Sequence, residues 1–261
     1  MGRVIAVANQ KGGVGKTTSC INIGAYIALS GKKVLLVDFD SQGNMSSGVG
    51  VSQDKPTIYE LIAGQVTAEQ AIKHTCVSGL DAISASIDLS GAAIELVEQE
   101  NREFFLKNVL DPLKSVYDYI LIDCPPSLGL LTLNGLAAAD SVLVPMQCEY
   151  FALEGITLLL KSVNKVQQSI NPKLVIGGIF FTMYDARTRL AQDVVMQVKT
   201  YFKDVVYNTI IPRNVRLSEA PSRGLPICST FPLLMMIIWS EMLIASLWSW
   251  VTYTAVIPTF C

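Results

Sequence analysis

Ten residues near the start of the chain, Asn9-Gln10-Lys11-Gly12-Gly13-Val14-Gly15-Lys16-Thr17-Thr18, have the types and spacing needed to hold phosphate. Glycines let a backbone curl until several N–H groups point at one anion. A helix beginning where the loop ends adds its positive N-terminal pole. Lys16 supplies a point charge, and the Thr17 hydroxyl can ligate Mg²⁺. The apolar run Val4-Ile5-Ala6-Val7-Ala8 comes just before, so strand, loop and helix follow in the order such a site requires. The plain alternative is a Gly-rich strand-to-helix turn with no ligand, and Gly-Lys-Thr in this context argues against it. One departure from the ordinary pattern stands out. Gln10 occupies a place usually held by a small residue, and a second lysine, Lys11, follows it.

A phosphate loop needs acids around its cation and a group to orient water. Two segments offer them, Val37-Asp38-Phe39-Asp40 and Ile122-Asp123-Cys124, each at the C-terminal end of an apolar run. In an open parallel sheet, ligands gather at these carboxyl ends, so both acids can converge on the loop. Asp38 and Asp40 are two apart and point the same way in a regular strand. Either acid alone is also readable as a turn former or a helix N-cap. Cys124 has no histidine to activate it and reads as a packing thiol.

The elements that must position these groups follow a βαβ rhythm. Apolar runs alternate with longer amphipathic stretches, as in a parallel sheet covered on both faces. Strands are expected at 4–8, 34–37, 82–85, 119–122, 142–145, 175–181 and 205–211, giving a sheet of mostly seven strands. The first helix is expected from about Lys16 to Leu29, with Ser30-Gly31 ending it and Gly31 as a left-handed cap. Ile23 and Ile27 share its sheet-facing side. Segments 54–75 and 88–117 read as mostly helical, with Pro112 marking a helix start or kink.

Composition excludes several classes. The chain has 261 residues and a net charge of −2, enough for one large α/β domain and too few positive charges for a basic nucleic-acid coat. A local patch stays open, because Arg187, Arg189, Arg213, Arg216 and Arg223 fall in two late segments. These are readable as phosphate contacts of sequence-independent DNA binding, or as solvated loop arginines and ion-pair partners. The six cysteines form no C-x-x-C pair, and the one histidine, His74, reads as a surface or helix residue. Metal-ligand spacing is absent, which fits a reduced, cytosolic setting. The first strand starts at once, leaving no room for a signal peptide.

The composition changes after Cys228. From Ser229 to Cys261 the one charged residue is Glu241, and all three tryptophans lie there. Three readings fit: out-of-frame translation, a membrane anchor, or a buried helix. The lack of a polar face favours the first. An anchor would carry Glu241 near its middle and has no basic flank.

The motifs together resemble the ParA/Soj chromosome-partition ATPases. The resemblance rests on 11–18, Asp38-Phe39-Asp40-Ser41-Gln42-Gly43-Asn44, Asp123-Cys124-Pro125-Pro126-Ser127, 148–155, 182–188 and 211–222, and spans 1–228. It implies a single doubly wound, mostly parallel sheet with helices on both faces, a P-loop NTPase of the deviant Walker A type. The related MinD ATPases share the loop, but lack the second motif in this form and end in a basic amphipathic membrane helix.

The resemblance implies roles for residues. Gly12, Gly13, Val14, Gly15, Lys16, Thr17 and Thr18 would hold the phosphates of ATP, with Thr17 on Mg²⁺ and Asp38 and Asp123 in its outer shell. Lys11 would reach across a homodimer to the partner's nucleotide. Asp40 would orient the attacking water. Pro212 and Asn214 fall where the family contacts adenine, and Arg187 and Arg216 where it contacts double-stranded DNA. Hydrolysis would be slow and stimulated by a ParB/Spo0J-type centromere-binding partner, in a cytoplasmic, nucleoid-associated protein. The immediate start at the loop strand favours the chromosomal over the plasmid version. The rival readings are a membrane-associated MinD-like ATPase, and an inactive DNA-binding regulator or decayed copy.

Overall fold

The computed structural model describes residues 1–226. The change of composition at Cys228 and the tail 229–261 lie outside the described residues. In order, the chain forms β1 (Arg3–Val7), α1 (Lys16–Leu29), β2 (Val34–Asp38), α2 (Asn44–Gly48), α3 (Ile58–Ile62), α4 (Ala68–Ala71), β3 (Ile72–His74), β4 (Leu80–Ile83) and α5 (Leu89–Glu95). It continues with α6 (Phe105–Leu110), β5 (Tyr119–Asp123), α7 (Leu130–Ala138), β6 (Ser141–Gln147), α8 (Ala152–Ser169), β7 (Val175–Tyr184), α9 (Arg189–Phe202), β8 (Val206–Pro212) and α10 (Val215–Glu219).

The strands make one sheet in the order β3-β4-β2-β5-β1-β6-β7-β8. Every pairing is parallel except β3 with β4. The central strands carry unbroken apolar runs up to their polar ends because both of their faces are covered. In β1, Val4 and Ala6 enter one core while Ile5 and Val7 enter the other. Leu35 and Val37 of β2 divide from Val34 and Leu36 in the same way. The second of these cores lies under α1, where Ile23 is buried and Ile27 packs at the margin. Gly31 closes that helix with φ +88° and donates its N–H to the Ala28 carbonyl at 2.9 Å, a conformation that costs glycine little.

Among the described residues, eight strands replace the expected seven. The added one, β3, lies in the segment 54–75 expected to be mostly helical. It is three residues long and antiparallel at the sheet edge, with His74 exposed opposite Asp81. A strand this short has no apolar run to betray it. The same segment holds two short helices, α3 and α4. The segment 88–117 breaks as well, into α5, α6 and short 3-10 turns. Pro112 begins one of these turns, Pro112–Ser115. Among the described residues, no helix is long and apolar enough to cross a membrane.

Candidate active site

Loop 9–15 leaves the central strand β1 at its carboxyl end, between β5 and β6. Here the strand order reverses, which opens a crevice for ligand in doubly wound sheets. Gly13 and Gly15 have φ of +73° and +83°, and Gly15 is the N-cap of α1. A side chain at Gly15 would be strained in this left-handed turn.

The loop is braced from a distance. Gln147, the last residue of β6, donates through Nε2 to the Gly13 carbonyl at 3.0 Å. The Thr182 hydroxyl of β7 donates to the Val14 carbonyl at 2.9 Å. Asn9 donates to the Pro145 carbonyl at 2.7 Å and accepts the Lys11 N–H at 3.0 Å. With carbonyls turned to these braces, loop N–H groups are left for an anion. Sequence reasoning gave no role to Gln147 or Thr182. The signal that was available is a polar residue ending, or interrupting near its end, an apolar strand.

Lys16 is buried, and its Nζ donates to the Lys11 carbonyl at 3.1 Å. Burial lowers its pKa, opposed by the charges of Asp123, Cys124 and Asp40. Asp123, the last residue of β5, is a buried acid whose two carboxylate oxygens have no hydrogen-bond partner. Burial and then the Asp38 charge push its pKa well above the usual range, while Thr17 and Lys16 pull the other way. A buried unpaired carboxylate is costly and calls for a cation. The residues present therefore fit a hydrated Mg²⁺ beside Thr17.

Asp38 pairs in register with Asp123 across β2 and β5. Its Oδ2 accepts from the Ser46 N–H and hydroxyl, and its Oδ1 from the Asp40 N–H. Strand β2 ends at Asp38, so strand alternation does not carry on to Asp40. Asp40 sits instead in the following turn, where its carboxylate accepts the Gln42 N–H at 3.1 Å. Cys124 is fully buried, and burial drives its thiol pKa up, as befits a packing residue.

Pro212 and Asn214 line a cavity of about 110 Å³ together with Gly15, Thr18, Met183 and Leu217. The structure thus joins the end of β8 to the start of α1. The Asn214 side chain also caps α10 by accepting the Arg216 N–H at 2.9 Å.

Two predicted cations meet counter-charges on their own chain. Lys11 pairs with Glu149, at the turn after β6. Arg187 forms a fork with Asp185, 2.8 Å from Nε and 2.6 Å from the terminal nitrogen, and holds that carboxyl down to about 2. Arg187 is nonetheless 89% exposed.

The fold and the loop define a P-loop ATPase class of protein, with a second lysine near the loop's start. A family model described as an AAA domain matches residues 2–176. The chromosome-partitioning ATPase Soj of Treponema pallidum is 65% identical over 229 residues, covering 88% of this chain and 90% of that protein. The sporulation initiation inhibitor protein Soj of Bacillus subtilis is 55% identical, covering 87% and 90%. Among solved structures, cobyrinic acid a,c-diamide synthase from Mycobacterium smegmatis with bound ADP and magnesium aligns with a TM-score of 0.78 at 41% identity, covering 86% of this chain and 93% of that one. The chain belongs to the ParA/Soj family of chromosome-partitioning ATPases.

Proposed function

We propose that this chain is a DNA-partition ATPase that binds Mg·ATP, dimerises on it, holds double-stranded DNA nonspecifically as a dimer, and lets go on hydrolysis. The observation that carries this reading is the braced loop 9–15 facing the unpaired Asp123 carboxylate. Lys16 and the loop amides would bind the phosphates, and Thr17 would hold Mg²⁺ with Asp38 and Asp123 in its outer shell. Bound Mg²⁺ supplies charge neutralisation for the transferred phosphoryl group. Asp40, in its turn beyond β2, orients the attacking water. Pro212 and Asn214 line the adenine side.

Lys11 reaches a partner subunit's nucleotide once it leaves Glu149. An exposed ion pair is worth about 0–1 kcal/mol, so a triphosphate competes for this lysine easily. Positive charge arriving with dimerisation is what a loose phosphoryl-transfer transition state needs. Arg187 and Arg216 contact DNA phosphates, and pairing two weak patches in a dimer raises affinity through effective concentration. A ParB/Spo0J-type partner stimulates the slow hydrolysis, and the protein works on the nucleoid in the cytoplasm. The family domain is assigned to 1–228, with 229–261 as an atypical tail.

Phosphate release from Mg·ATP, measured with DNA and the partner, tests the reading against Asp40→Ala. The parent is expected to turn over and the variant to fail. Equal rates would point to the inactive-regulator alternative.

A further inference from the structure

Ser46 lies on α2, has no accessible surface, and sits outside the phosphate loop and both acidic strand ends. Its hydroxyl donates to Asp38 Oδ2 at 2.6 Å, and its N–H donates to the same oxygen at 2.8 Å. The hydroxyl oxygen also accepts the Ala85 N–H at 3.1 Å. The other Asp38 oxygen accepts the Asp40 N–H at 3.3 Å. One hydroxyl therefore joins two buried partners, a carboxylate and an amide, that would otherwise compete to satisfy each other.

That arrangement decides which way the Asp38 carboxylate faces. Buried polar groups keep a partner wherever one is in reach. With the hydroxyl gone, the Ala85 N–H loses its acceptor, and the nearby acceptor is the Asp38 carboxylate itself. Rotating Asp38 toward Ala85 draws Oδ1 away from the Asp40 N–H and frees the turn that carries Asp40. The residue before Ala85 is tied down on the other side. It is Ser84, whose hydroxyl accepts from Lys73 Nζ at 2.8 Å and whose carbonyl accepts the Ile58 N–H at 2.8 Å.

We propose that Ser46 is a positioning residue for ATP hydrolysis: by holding Asp38 between α2 and the loop that follows β4, it sets the place of Asp40. The proposal rests on Asp40 being the water-orienting group. It adds that the reaction depends on a hydroxyl with no access to nucleotide or solvent.

The test is steady-state phosphate release from Mg·ATP, over a range of ATP concentrations, by the full chain with DNA present, run on Ser46→Ala, Ser46→Thr and Asp40→Ala. Misplacing a catalytic group by about 1 Å costs about 100-fold, so Ser46→Ala is expected to lose about 10- to 100-fold in kcat. KM for ATP is expected to stay within about twofold, because the phosphate loop is untouched. Ser46→Thr, which keeps the hydroxyl, is expected to restore the rate. Hydrogen exchange at the Ala85 amide, read without nucleotide, is expected to quicken in Ser46→Ala and recover in Ser46→Thr. If Ser46→Ala does not fold, Ser46→Cys keeps the volume with a poorer donor and carries the same expectation. A parent-like kcat in Ser46→Ala or Ser46→Cys, beside an inactive Asp40→Ala, would overturn the Ser46 role alone. A parent-like rate in Asp40→Ala would overturn the reading of the site, and the proposal with it.

Discussion

Asp38 and Asp123 stand opposite each other in register at the carboxyl ends of adjacent parallel strands, β2 and β5. Both are buried, yet they are treated differently: Asp38 has three donors, whereas Asp123 has none on either oxygen. Two neighbouring carboxylates so unequally hydrogen-bonded are suited to different work: Asp38 is fixed to its own chain, while both Asp123 oxygens are left unused by theirs.

This pair makes stability depend on pH in a definite direction. Burial lifts Asp38 from 3.8 to about 6 against the pull of the Ser46 and Asp40 hydrogen bonds. A raised carboxyl pKa means that the folded state holds a proton the unfolded chain has released. Its contribution is full below the unfolded value and is lost as pH rises through about 6, amounting to about 3 kcal/mol. In nucleotide-free protein, the gap in unfolding free energy between the parent and Asp38→Asn should widen, at the parent's expense, across this window. A constant gap would contradict the burial argument.

Lys16 Nζ reaches back to the loop at the Lys11 carbonyl, and in the proposed reading it meets the triphosphate. A charge-assisted hydrogen bond contributes about 1.5–3 kcal/mol. Lys16→Ala should therefore weaken ATP binding by about 10- to 100-fold, as read by calorimetric titration. Unaltered affinity would move the triphosphate elsewhere.

Lys11→Ala should behave differently. Its pair with Glu149 is partly exposed on both sides, so the melting temperature should change little. Association on adding a nonhydrolysable triphosphate, followed by sedimentation, should be lost. Association at the parent's level would show that assembly does not use this lysine.

Thr182 secures the loop from 168 residues away in sequence. Thr182→Val keeps the shape of the side chain and leaves the Val14 carbonyl without this donor. The cost of an unmade buried bond is about 1–3 kcal/mol, so KM for ATP should rise about fivefold or more. A parent KM would show that the loop holds its form without this brace.

The arginines can be separated by charge. Asp185→Asn removes the counter-charge that occupies Arg187 and should strengthen DNA retention while steepening its salt dependence by about one phosphate contact. Arg216→Glu should weaken retention on every DNA sequence and flatten that dependence. Retention unaffected by either change would take DNA off this face.

The local features were legible from the residues. Glycines at 13 and 15 mark backbone that must turn left-handed, and Lys16 and Thr17 follow where a helix can present them. Apolar runs reveal strands because both faces of a parallel sheet are covered, and Gly31 marks the end of α1. These depend on dihedral preference and periodicity, which act over a few residues. What only the tertiary structure decided are the pairings across the chain. Register set Asp38 beside Asp123, and strand order brought Gln147 and Thr182 to the loop across 134 and 168 residues. It also gave Lys11 to Glu149, and added β3 at the edge, where neighbours rather than pattern make a strand. Such contacts follow from which strands lie side by side, and no short window of sequence carries that information.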